Sequence, residues 1–110
     1  MDPSPPLEDL LAVCVAHADY AAARGRAVRV WLPGSPGSVA AGVLREVSAR
    51  HCAGGFESFA LEFAVRDAAA AQGLYAVDIE GLPSHALLLV PFGRADGTSA
   101  YHASFNRRLE

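Results

Sequence analysis

The chain has 110 residues, 52% of them apolar and 19% charged, with a formal net charge of −3, two cysteines and four histidines. That length supports a single core, and the composition is globular rather than disordered. The acidic balance lacks the basic footprint of a nucleic-acid binder, two cysteines do not make a disulfide scaffold, and no apolar run nears the ~20 residues that span a bilayer.

The opening, MDPSPPLEDLL, is acidic and proline-rich, unlike a secretory signal, so the expected compartment is the cytoplasm with both thiols reduced. Residues 1–6 read as a leader, 7–108 as one domain, and Leu109-Glu110 as an expression-tag remnant. Leu7, Leu10, Leu11, Cys14, Val15 and Ala18 recur at steps of three and four, which predicts a helix over 7–24. Glu8 and Asp9 favour the positive end of its dipole, and Gly25 is a stop. Leu11, Val13 and Val15 also alternate, so a strand over 10–16 followed by a short helix over 18–24 is the competing reading.

Period-two alternation then takes over. Residues 27–32 form a strand with Val28, Val30 and Leu32 on one face and Arg29 and Trp31 on the other. A Pro33–Gly37 break leads to a partner strand over 41–48, and Gly54-Gly55 marks a connection within 50–58. Phe59, Leu61, Phe63 and Val65 line one strand, and Tyr75, Val77 and Ile79 line the next. Residues 85–92, HALLLVPF, are apolar on both faces, as in a strand covered on two sides, the N-terminal helix being one cover. Asp96-Gly97 is the strongest hairpin signal, and Tyr101, Ala103 and Phe105 face inward on the last strand. The fold class is therefore mainly β with a minor α part: about six antiparallel strands in sequential hairpins, a meander rolled into a small barrel, with one N-terminal helix.

Chemistry-bearing residues are sparse. Cys14, His17, His51 and Cys52 are the one metal-like set, but adjacent His51 and Cys52 diverge on an extended backbone and no Cys-x-x-Cys supports them, so no metal or other cofactor is expected. A nucleophile at Cys52 beside His51 lacks an oxyanion hole and an orienting carboxylate in the pattern. Glu62 and Asp78 suit cross-strand pairing with arginine better than acid–base work, and His85 and His102 are expected to face solvent. Trp31, sharing the outer face with Arg29, either caps the barrel beneath the helix or anchors a contact with another chain.

Several features together resemble a family of small bacterial proteins known only as a domain of unknown function, DUF6916. They are Phe59, Leu61 and Phe63 in F-x-L-x-F, Gln72-Gly73 with Tyr75, Leu89-Val90-Pro91 with Gly93, and the closing Tyr101, Ala103, Phe105 and Asn106. Ala18-Asp19-Tyr20 and the Val28/Val30 strand join them, so the likeness spans most of 18–106. Ala64-Val65, where the family tends to an Arg-Gly step, and the apolar 7–17 segment depart from it. The resemblance implies a β-rich fold and an accessory role beside tail-collar or fibre-like proteins of phage-derived systems.

The functional expectation is a non-enzymatic accessory or assembly module that binds another protein or itself, as a homodimer, through apolar strand surface. Trp31 and Leu88 are the expected contacts, with Arg29 at the rim. The alternative is a small-ligand or hydrolytic domain using His51 and Cys52.

Overall fold

A computed structural model describes residues 7–33, 35–66 and 71–109. Two helices and seven strands follow one another: α1 (Leu7–Ala12), α2 (His17–Ala22), β1 (Ala27–Leu32), β2 (Ser35–Val47), β3 (His51–Ala53), β4 (Phe56–Arg66), β5 (Gly73–Ile79), β6 (His85–Ala95) and β7 (Thr98–Arg108). All pairings are antiparallel. The order β2-β1-β5-β6-β7-β4, closed by β2 against β4, makes a six-stranded barrel, with β3 added to the outer end of β4. The predicted leader, residues 1–6, lies outside the described residues.

Barrel, strand direction and alternation match the sequence expectation, but the order around the barrel is not that of a meander. Consecutive β4 and β5 do not pair: β4 lies between β2 and β7, and β5 between β1 and β6. A period of two fixes which face of a strand is buried but says nothing about which strand lies beside it. The longest ladder joins β4 to β7 over eleven residue pairs, from Phe56↔Arg108 to Arg66↔Thr98.

The inward line runs through Val28, Val30, Leu44, Phe59, Leu61, Phe63, Val65, Val77, Ile79, Leu87, Leu89 and Tyr101, all buried. Leu32 departs from it. The β1–β2 register shifts between Val30 and Leu32, and Leu32, the last residue of β1, is exposed. At Asp96-Gly97 both residues take positive φ (53° and 76°), the two-residue turn whose twist matches the strands it joins. Gly54-Gly55, read as a loose connection, is a second such turn (φ 61° and 84°), and it creates the unforeseen three-residue β3. β2 likewise begins at Ser35, inside the predicted Pro33–Gly37 break.

The N-terminal segment is two helices rather than one. Residues 13–16 form an irregular link, which lets Val15 and Tyr20 enter the core while α1 lies against β6 with Leu10 buried. A single straight helix over 7–24 would carry only one of these groups to the barrel. α2 closes one barrel end: the Tyr20 ring sits 6.0 Å from Phe59, 5.5 Å from Phe105 and 5.7 Å from His85. Gly25, at φ 89°, then turns the chain so that its N–H donates to the Leu44 carbonyl at 2.7 Å.

Candidate functional site

Two surfaces stand out, one apolar on the barrel wall and one polar at the end that α2 closes. On the wall, Arg29, Trp31, Leu74, Ala76, Asp78, Ala86 and Leu88 alternate with the inward residues of β1, β5 and β6, so they share the outer face. Trp31 stands opposite Ala76, which stands opposite Ala86, and Leu88 stands opposite Leu74. Trp31 is half-buried, whereas Leu88 and Phe92 are each 53% exposed. The cover expected over HALLLVPF is thus partial: α1 lies against β6 but leaves Leu88, Phe92 and its own Leu11 in solvent. Arg29 donates to Asp78 at 2.6 Å, an exposed pair at the margin of this face. Asp78 and Glu62 are both partners of arginine, Glu62 through Arg45, which is the role expected of them.

The polar surface is built from four segments distant in sequence. On β4, Glu57 continues the inward line of Phe59, and on β7, Arg107 continues that of Phe105, so both reach the barrel end beside α2. Arg50 Nε donates to Glu57 Oε1 at 2.5 Å, while Arg107 Nε lies 3.3 Å from Glu57 Oε2. The Arg107 guanidinium carbon sits 5.0 Å from the ring centres of Phe59 and Phe105, which are stacked 4.5 Å apart. Its Nη1 donates to Cys14 Sγ at 2.9 Å. His17 Nε2 donates to the Ser48 carbonyl at 2.8 Å, and its ring meets Phe59 edge-on at 4.9 Å. The Arg50 hydrogen bond holds the Glu57 carboxyl below its usual range, and Arg107 and His17 act in the same direction. A concavity of about 380 Å³ opens here, lined by Ala16, His17, Ala18, Arg50 and Glu57.

The sequence-flagged quartet does not converge on one point. Cys14 and His17 belong to this barrel end, bonded to Arg107 and Ser48 respectively. On β3, Cys52 stands opposite Glu57 and His51 opposite Ser58, so the two neighbours project to opposite sides, both exposed. Among the described residues no group of three or more His, Cys, Asp or Glu is placed to hold a metal ion. Arg50, Glu57 and Arg107 were not anticipated; for Glu57 and Arg107 the legible signal was their parity with Phe59 and Phe105, while Arg50, between β2 and β3, carried none.

A family model described as a domain of unknown function, DUF6916, matches residues 15–105. The chain belongs to the DUF6916 family. The matched segment takes in α2 and the barrel up to Phe105, and leaves α1 and Arg107 outside it. No curated protein and no solved structure matches the chain. Among the described residues, no helix is long and apolar enough to cross a membrane.

Inside this DUF6916 barrel, His85 corrects the expectation of a solvent-facing imidazole: it is 1% exposed. Its Nδ1–H donates to the Pro83 carbonyl at 2.8 Å, so Nε2 of the neutral ring accepts the Tyr20 hydroxyl proton at 2.7 Å. It stands opposite Val77 on the inward line with Leu87 and Leu89, and α2 supplies the polar partner that lets an imidazole be buried there. Burial lowers the His85 pKa from 6.5, partly opposed by the Pro83 bond. Burial likewise raises the Tyr20 hydroxyl, against the pull of Arg107. In the window from pH 6.5 down to the lowered folded value, the unfolded chain binds more protons than the folded one. The His85 contribution is therefore full above pH 6.5 and is lost as the pH falls through that window. The urea midpoint is expected to drop on going from pH 7.5 to about 5, with a shallower slope in His85→Gln. A midpoint that stayed flat over this range in the wild type would show that His85 is not held neutral by burial.

Proposed function

We propose that this DUF6916 domain is a non-enzymatic accessory or assembly module that binds another protein chain, or a second copy of itself, through the outer face of β5 and β6. The observation that carries the reading is that face: Leu88 and Phe92 exposed on β6, Leu74 opposite Leu88, and half-buried Trp31 two strands away. Large apolar side chains grouped on one wall cost hydration free energy in the free protein, and that cost is relieved when a partner covers them. Trp31 and Leu88 are the contacts, and the Arg29–Asp78 pair stands at the rim. The family resemblance supports an accessory role of this kind, beside tail-collar or fibre-like proteins of bacterial phage-derived systems.

Size-exclusion chromatography with light scattering tests the reading on the wild type, Leu88→Ser and Trp31→Ala. The expected wild-type result is either twice the mass of the chain or a co-purifying partner, reduced at least ~10-fold in affinity by either substitution. A wild-type monomer with no partner, or an assembly indifferent to both changes, would contradict it.

A further inference from the structure

We infer that the α2 end of the barrel is a binding site for a small carboxylate, with Arg50 as the group that receives it and Arg107 as the group that takes over Glu57 when it arrives. In the structure two guanidinium groups share one carboxylate. Glu57 is drawn to Arg50, and this leaves the Nε and Nη2 of Arg107 buried without a hydrogen bond, even though Oε2 stands 3.3 Å from that Nε. These two nitrogens form the side-on edge of the guanidinium, the fork that a carboxylate fits with two parallel bonds. Orphaned buried donors on a cation are costly, and Glu57 satisfies them only by leaving Arg50.

Among the described residues Arg50 pairs through Nε alone, and its two Nη groups take no other partner. It also lines the 380 Å³ concavity, within the size range of small-molecule sites. A second carboxylate entering there pairs with Arg50 while Glu57 rotates onto the Arg107 fork. Every charge is then paired: two guanidinium groups, two carboxylates. The cavity walls suit an aliphatic tail, since Ala16 and Ala18 present only methyl groups and the His17 ring lies edge-on to Phe59. The shared chemistry is an aliphatic carboxylate, either a free short-chain acid or the C-terminal carboxylate of a peptide.

The probes are butyrate, a dipeptide ending in alanine with a free carboxylate, and the same dipeptide amidated, each titrated against ¹⁵N-labelled protein while the arginine Nε–Hε signals are followed. Expected is saturable movement of both the Arg50 and Arg107 signals with at least one of the two acids, at a dissociation constant on the order of millimolar. Arg50→Gln should weaken that binding at least ~10-fold. Preference for butyrate identifies a free acid as the occupant, and preference for the dipeptide acid a chain terminus; either supports the site. Binding of the amide as tightly as the acid, movement of Arg50 without Arg107, or no saturable movement at all would overturn it. Amide dispersion in the Arg50→Gln spectrum reports that the variant is folded, and Arg50→Lys, which keeps the charge but loses the fork, is expected to bind more weakly than wild type and better than Gln.

Discussion

Gly42→Ala is expected to destabilise the domain by about 3 kcal/mol or more, at the upper end of overpacking costs. Gly42 stands opposite Val65 at the seam where β2 closes onto β4. A Cβ built there falls inside the Ala64 carbonyl oxygen and lies 2.8 Å from Val65 Cα and 2.9 Å from the Ala64 carbonyl carbon. These are backbone atoms, so no rotamer change relieves the clash, and either β2 must withdraw or the β4 ladder must bend. The residue is needed for want of a side chain, since its backbone is not in the left-handed region. Urea denaturation checks the prediction, and hydrogen exchange should show Val43 and Leu44 losing protection first. A variant within ~0.5 kcal/mol of wild type would mean that the seam is looser than described.

Tyr20→Ala is expected to cost about 3–5 kcal/mol, in the range for truncating a buried aromatic. The ring is 1% exposed and touches Phe59, Phe105 and His85, while its hydroxyl is the partner of His85 Nε2. Tyr20→Phe separates the two contributions: it keeps the ring but leaves the imidazole nitrogen unpartnered, at a cost of about 1–3 kcal/mol. Thermal or urea unfolding of both variants gives the comparison. If Tyr20→Ala were as stable as Tyr20→Phe, α2 would be an appendage rather than the closure of the barrel end.

The faces of the strands were legible because alternation is a local property. Phe59 to Val65 and Tyr75 to Ile79 bury the residues that a period of two assigns inward, and Asp96-Gly97 forms the turn its dipeptide encodes. Neighbour relations were not legible, since β4 finds its longest partner in β7, some forty residues along the chain. Leu32 was assigned inward, but it is the last residue of β1, where the register with β2 shifts, and alternation does not tell where a strand's cover ends. β3 was missed because three residues carry too little pattern to register. The polar end illustrates the same divide. Arg50 and Glu57 are seven residues apart and meet across the β3–β4 hairpin, but Arg107 lies fifty further on and reaches Glu57 only through the β4–β7 ladder. Trp31 and Leu88 do share an outer face, but Phe92, as exposed as Leu88, was absorbed into an apolar run read as covered.

Both the apolar wall and the arginine pair exist only if the strands are ordered as described. Interstrand NOEs between backbone protons test that order most directly. The barrel predicts cross-peaks for Val43 with Ala64, Leu61 with Ala103 and Val30 with Val77. Cross-peaks joining the Phe59–Val65 strand to the Tyr75–Ile79 strand as a hairpin, with those three missing, would contradict it.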